Sequence, residues 1–314
     1  MPATLDIPVL RGVPIRTWFE VGGCADRFAV ARSPGELRSL LAVDPAARIL
    51  GDGANLLVDD DGVEELVVSL AAPAFSEVRM DRATGLVHAG AGVHLFRLIN
   101  ETVSAGLGGL EVLAGVPATL GGAIVMNAGG AYGEIASSVE RVFALSRGGH
   151  EVVLERGGIA FSYRHSGLND LIITGADLRL VPGDPVALAA RKKEINDAKA
   201  ATQPLAASSA GCCFKNPTLQ AAVAGVGDAG RRVSAGLLID RAGLKGLRVG
   251  GAEVSQRHGN FIVVDKKRAR AGDVIGLMDR VAAGVLREFG VRIEREVVVW
   301  SRSESGHRAC AASG

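Results

Sequence analysis

Apolar residues along this chain fall into short Val- and Leu-rich runs broken by glycine, and once into a long stripe at helical spacing. The stripe is Val274, Leu277, Met278, Val281 and Val285, which predicts an amphipathic helix over residues 271–289. Asp273 in its first turn suits the helix dipole, and Gly290 stops it. Near the start, residues 28–30 and 48–51 read as strands around a helix that begins at Ser33-Pro34 and reaches about Leu41. A strand at 65–70 completes a β-α-β-turn-β unit. A second unit opens with strands at 75–80 and 85–89 and a helix over 95–105. Residues 115–133 are expected to form one long loop, too rich in glycine for a regular element. Strands follow at 139–146, 151–155 and 171–180, then a helix over 186–200 whose Arg191-Lys192-Lys193-Glu194 run reads as a solvated face. The third unit carries a helix at 234–242, strands at 252–254 and 261–264, the long helix, and a last strand at 293–300. A polar tail, 301–314, is expected to be disordered. Three mixed units in succession predict an α+β protein.

Composition narrows the function class. Lys and Arg number 35 against 34 Asp and Glu, so no electrostatic footprint points to nucleic acid or a membrane surface. The four cysteines include no C-x-x-C pair and the six histidines no H-x-x-x-H, so no metal site is expected. No run of about 18 apolar residues occurs, and the first residues lack a basic-then-apolar leader. A cytoplasmic protein with reduced thiols, monomeric, is the expectation.

Three segments suggest chemistry. Gly51-Asp52-Gly53-Ala54-Asn55-Leu56 follows a strand and can wrap backbone N–H groups around a phosphate, although alone it reads more readily as a simple hairpin turn. Gly115-Val116-Pro117-Ala118-Thr119-Leu120-Gly121-Gly122, then Asn127-Ala128-Gly129, lets backbone lie flush against a flat or phosphorylated ligand. Two such loops fit a bound dinucleotide. Ser209-Ala210-Gly211-Cys212-Cys213-Phe214-Lys215-Asn216-Pro217 sets a thiol beside an ammonium and an amide, in a run bracketed by turn residues. Cys213, its neighbour, is read as a small buried apolar residue.

In order along the chain, these motifs resemble those of the UDP-N-acetylenolpyruvoylglucosamine reductases, across nearly the whole length. Arg16-Thr17-Trp18 with Val21-Gly22-Gly23-Cys24-Ala25-Asp26, the Gly51–Leu57 loop, and Gly109-Leu110-Glu111 through Gly122 each have a counterpart. So do Phe161-Ser162-Tyr163-Arg164-His165-Ser166, Ala210–Pro217, Ser234–Gly243, His258-Gly259-Asn260-Phe261 and Glu294-Arg295-Glu296-Val297. The resemblance implies a vanillyl-alcohol-oxidase type FAD-binding fold of two subdomains, 1–70 and 71–200. A C-terminal α+β substrate domain, 201–300, follows.

It also implies noncovalent FAD, held by Gly51, Asp52, Gly53, Ala54, Asn55, Leu56, Gly115, Pro117, Thr119, Gly121, Gly122, Asn127, Ala128 and Gly129. NADPH is the implied hydride source, although no ribose-reading motif selects it over NADH. The implied substrate is an enolpyruvyl sugar nucleotide, reduced to UDP-N-acetylmuramate. The short interval from Arg164 to Cys212 matches the family's compact form.

The chemistry requires a cation at the enolpyruvyl carboxylate and an acid for the α-carbon. Arg164 fits the first role, Glu296 can share the developing charge, and Cys212 stands at the family's serine position for the acid. Tyr163, Lys215 and Asn216 are expected on the substrate. Three departures stand out: Cys212 for serine, His165 for aspartate and Ala118 for glycine, which costs about 1 kcal/mol if that backbone is left-handed. Two rivals remain, another FAD-dependent oxidoreductase of the same cofactor fold and an inactive flavin-binding paralogue. The segment from Ala210 to Pro217 and Glu296 weigh against the first.

Overall fold

The computed structural model describes residues 7–302. The chain divides into two compact units, one from residues up to 13, 26–52 and 65–199, the other from 14–25, 53–64 and residues from 200 onward. Of the expected tail, 303–314 lie outside the described residues.

In the first unit, α1 (Pro34–Val43) starts where Ser33 accepts a hydrogen bond from the Glu36 N–H, and it buries Leu37, Leu40 and Leu41. It connects Cys24–Val30 to Arg48–Leu50 in a four-stranded sheet ordered Val13–Pro14, Cys24–Val30, Val63–Ser69, Arg48–Leu50. The last two strands run parallel, Arg48 opposite Val67. A five-stranded sheet follows, ordered Glu151–Glu155, Val139–Ser146, Leu171–Arg179, Leu86–Gly90, Val78–Asp81. Every pair in it is antiparallel. Helix α2 (Leu95–Ser104) buries Leu95, Leu98, Ile99 and Val103 against the unit's core. Each such side chain contributes about 2 kcal/mol on leaving water.

The expected loop at 115–133 is corrected by two elements inside it. Helix α3 (Leu120–Val125) begins at Thr119, whose hydroxyl accepts from the Gly122 N–H, and Gly129–Gly130 pairs with Gly133–Glu134. Glycine is weak in helices, but burial of Leu120, Ala123 and Ile124 outweighs the propensity cost of Gly121 and Gly122. Helix α4 (Pro185–Thr202) buries only Ile195, as its charged run leads one to expect.

The second unit contains α5 (Ala235–Arg241), a three-stranded antiparallel sheet of Arg248–Val249, Ala252–Val254 and Ile262–Val264, and α6 (Ala271–Phe289). Helix α6 matches its predicted bounds and buries its Val274–Leu277–Met278–Val281–Val285 stripe. Gly290 ends it at φ 68°, a left-handed cap that glycine adopts without strain. The final strand is shorter than expected. Only Val298–Trp300 forms a regular ladder, parallel to Leu56–Val58. The preceding residues pair irregularly with 213–215, as the site requires. Phe19, Leu57, Phe214 and Leu238 belong to this unit's core. Among the described residues no helix is long and apolar enough to cross a membrane, and no group of three His, Cys, Asp or Glu could hold a metal.

Candidate active site

The glycine loops of the first unit are drawn together by backbone bonds. Leu120 N–H donates to Val93, Gly121 N–H to Ala91 and Leu95 N–H to Ala118, at 2.8, 2.9 and 2.8 Å. Residues 118–121 are thereby zipped along 91–95. A Cβ on Gly121 would stand 3.0 Å from the Ala91 Cβ, and one on Gly51 2.8 Å from the Thr119 hydroxyl. A side chain at either position would force its neighbour to shift, so glycine suits this close approach. Asp52 joins them, with a carboxylate oxygen 3.5 Å from His94 Nδ1. Of the expected cofactor residues, the structure thus gathers Gly51, Asp52, Thr119, Gly121 and Gly122. It adds Ala91 and His94, which sequence reasoning missed although Gly90-Ala91-Gly92 repeats the small-residue signal. Gly115, at φ 72°, lies against Asn196 and Lys199 of α4. Ala118 is not among the left-handed residues, so alanine carries no strain there.

The rest of the first loop belongs to the second unit. Gly53 has φ 64°, and a Cβ there would fall 2.3 Å from the Arg16 carbonyl oxygen. Its own carbonyl accepts from Trp18 N–H at 3.1 Å. Asn55 donates through Nδ2 to the Glu296 carbonyl at 3.0 Å, and Leu56 sits opposite Val298. Among the described residues, the N–H groups of Gly51, Asp52, Gly53 and Ala54 meet no protein acceptor. Gly53 and Ala54 are buried. Buried N–H groups are rarely left without a partner, so this donor set fits the phosphate oxygens of a dinucleotide such as FAD.

Asn127, Ala128 and Gly129 have their polar groups occupied. Asn127 is fully buried at φ 43°. Its Nδ2 donates to the Ser162 carbonyl at 2.9 Å and its Oδ1 accepts from Ala136 N–H at 3.3 Å. Ala128 N–H donates to Ala123 at 2.7 Å and its carbonyl accepts from Ile135 at 2.9 Å. A Cβ on Gly129 would fall 2.6 Å from the Glu134 Cβ, so its pairing with Glu134 demands glycine.

Tyr163 and Arg164 form the tip of a two-residue turn in the first unit. Ser162 and His165 exchange both backbone bonds, at 2.8 and 3.1 Å. Arg164 is left-handed at φ 56°, and its guanidinium carbon lies 5.2 Å from the centre of the Tyr163 ring. Stacking on the ring limits the guanidinium's freedom.

In the second unit, Cys212 and Glu296 are brought to neighbouring backbone segments. Gly211 turns the chain at φ 78°. Residues 212–215 then lie between two partners. Cys213 N–H donates to Asn260 at 2.8 Å on one side. Lys215 N–H donates to Glu294 and Glu296 N–H to Cys213, at 2.9 and 2.8 Å, on the other. Asn260 is buried and clasps Phe214 with both ends of its amide, accepting at 2.9 Å and donating at 2.8 Å. Sequence reasoning quoted Asn260 only within a motif; the signal was an amide inside an apolar run, Gly259-Asn260-Phe261-Ile262-Val263-Val264.

Cys212 is half-buried, whereas Cys213 is sealed in the core. Burial pushes the Cys213 thiol up to about 12. Cys213 is the buried apolar residue expected, with no useful thiolate. The Lys215 ammonium lies 3.4 Å from Glu294, and Asn216 Oδ1 accepts from Ala235 N–H at the start of α5 at 3.0 Å.

Comparison with known proteins agrees with these two sets of features. Residues 25–155 match the model of an FAD binding domain. Residues 203–300 match that of the UDP-N-acetylenolpyruvoylglucosamine reductase C-terminal domain. A UDP-N-acetylenolpyruvoylglucosamine reductase of Desulfosudis oleivorans is 40% identical, with 90% of this chain and 91% of that protein covered. One of Syntrophobacter fumaroxidans is 39% identical over 91% of this chain and 81% of its own. The crystal structure of the reductase from Thermus caldophilus has a TM-score of 0.78 at 38% identity, covering 94% of this chain and 99% of its own. The α+β architecture with an FAD-binding fold is therefore the one expected, and the chain belongs to the UDP-N-acetylenolpyruvoylglucosamine reductase family.

Proposed function

We propose that this chain reduces UDP-N-acetylenolpyruvoylglucosamine to UDP-N-acetylmuramate, the step that completes the muramic acid unit of peptidoglycan precursors, with FAD as cofactor and NADPH as reductant. The cofactor would be held by the loops from Gly51 to Leu56 and from Gly115 to Gly122, the N–H groups of Gly51 to Ala54 serving its phosphates. Ala128 and Gly129 shape the second loop from behind, whereas the Asn127 amide is taken up by Ser162 and Ala136 and is not assigned to the cofactor. FAD bound there would supply hydride-transfer chemistry, with NADPH as the source of the hydride that ends on the terminal methylene carbon of the enol ether.

The protein's own residues make that addition feasible. An enol ether is electron-rich, so hydride addition needs the attached carboxylate to take up the developing negative charge. Arg164 meets that carboxylate with a planar two-pronged donor, its delocalised positive charge stacked on Tyr163. Glu296, in its protonated form, shares the charge on the enolate, and Cys212 gives its proton to the α-carbon. NADPH and one proton are consumed, and NADP⁺ and the saturated lactyl ether are formed. Tyr163, Lys215 and Asn216 are assigned to the substrate. A nucleotide sugar and NADPH are both cytoplasmic, which supports a cytoplasmic enzyme; we take it to act as a monomer.

The observation that carries the assignment of the acid is the contrast between adjacent thiols: Cys212 is partly exposed on the segment bonded to Glu296, while Cys213 is buried. The test follows each half-reaction by stopped flow. Cys212→Ala is expected to bleach with NADPH at nearly the normal rate, and to recolour with substrate about 10²-fold more slowly or worse. Cys212→Ser is expected to remain active. Unchanged recolouring in the alanine variant removes Cys212 from the mechanism; a flavin-loaded protein inert to both reactants favours a retired paralogue.

A further inference from the structure

The Arg164 turn is not a free surface loop. Asn127 holds it from beneath through the Ser162 carbonyl at 2.9 Å. Ser166, 1% exposed, holds its other end by donating to the Val125 carbonyl at 2.8 Å. Both anchors converge on the C-terminal end of α3, whose N-terminal end is Thr119, part of the loop assigned to FAD. A helix of six residues therefore has the cofactor loop at one end and the arginine turn pinned to the other. The backbone conformation is specific too. Asn127 is left-handed at φ 43°, which asparagine tolerates better than most residues, and this bend directs its amide at Ser162 and Ala136.

We propose that Asn127 is a positioning residue for the reaction: its carboxamide fixes the turn that aims the Arg164 guanidinium at the substrate carboxylate. The inference rests on the role given to Arg164 above. A left-handed arginine at the tip of a two-residue turn has no regular sheet to set its direction. The carbonyl on which the turn stands contributes to it: that oxygen accepts from His165 N–H within the turn and, from outside it, from one buried amide. Removing the amide leaves Ser162 oxygen without this donor and lets the tip rock, while the Gly51–Thr119 approach and the 91–95 zipper that shape the cofactor loops stay in place. The expected defect is thus in the substrate half-reaction and not in flavin retention.

Two variants separate the amide from the backbone. Asn127→Gly keeps the left-handed conformation and deletes the side chain; Asn127→Asp keeps its size and the acceptor for Ala136 but turns a carboxylate towards Ser162 oxygen. Both are expected to retain stoichiometric FAD and normal bleaching by NADPH, while KM for the enolpyruvyl substrate rises about tenfold or more. Combined with Arg164→Ala, either is expected to add no further loss, because a residue acting only through Arg164 has nothing left to position. Three results overturn the inference: loss of FAD in both variants, a substrate defect that multiplies with that of Arg164→Ala, or normal substrate kinetics in both. If Arg164→Ala alone leaves recolouring by substrate untouched, the role of Arg164 itself fails, and the positioning role goes with it.

Discussion

Two adjacent cysteines meet opposite environments because one is partly exposed and the next lies in the core. Cys213 is held between Asn260 and Glu296 by its backbone and is 0% exposed. Its ordinary ionisation at 9.0 is raised to about 12 by desolvation. In the unfolded chain the thiol ionises near its ordinary value. Below pH 9 both states are protonated and the full contribution to stability is present. Between pH 9 and 12 only the unfolded state loses its proton, so stability falls as pH rises. Moving from pH 8 to pH 10 is expected to cost about 1 kcal/mol through this group. Urea unfolding at the two pH values checks it: Cys213→Ala begins less stable but loses less between them. Site-resolved alkylation at pH 8 is expected to mark Cys212 and leave Cys213 unmodified.

At the scale of elements, α6 shows how a helix whose body is evident from sequence is completed by a residue far away in it. The Asp60 carboxylate accepts from Ala271 N–H at 2.9 Å and from Gly272 N–H at 3.0 Å, satisfying two N–H groups that helix geometry leaves without partners. Asp60→Ala is expected to lower stability by about 1 kcal/mol, the usual cost of a lost cap, and Asp60→Asn by less because one acceptor remains. A fall in urea midpoint without change of slope is the measurement. The body of α6 is legible because its stripe, Val274 to Val285, repeats over about three turns. Helix α3 is not, because two of its six residues are glycines and its support comes from 91–95, about 30 residues earlier. The site divides in the same way. Cys212, Arg164 and the glycine loops have local signatures, whereas Asn260 and the inward turn of Asn127 depend on partners 46 and 35 residues away. A single chain read along its length does not reveal such pairings.

At the scale of the molecule, the second unit depends on residues that arrive long before its main segment. Its core includes Phe19 and Leu57, both fully buried, alongside Phe214, Leu238 and Met278. The strand Leu56–Val58 pairs with Val298–Trp300, and Asn55 donates to the Glu296 carbonyl from 241 residues away. Asp60 caps α6 from the same early segment. Residues 200–302 alone therefore lack two large core side chains, a strand partner and a helix cap. Leaving out buried side chains of this size costs about 3–5 kcal/mol for Phe and 2–5 for Leu, against a typical domain stability of 5–15. The isolated fragment 200–302 is expected to show helical far-ultraviolet dichroism from α6 but weak near-ultraviolet signal and no cooperative urea transition. A chain in which 14–25 and 53–64 are joined to it by flexible linkers is expected to regain a sigmoidal transition. The early segments enter as partners, so restoring them must restore cooperativity and not merely add helix. If 200–302 unfolds cooperatively by itself, Phe19 and Leu57 cover a core that is already complete, and the dependence argued here is wrong.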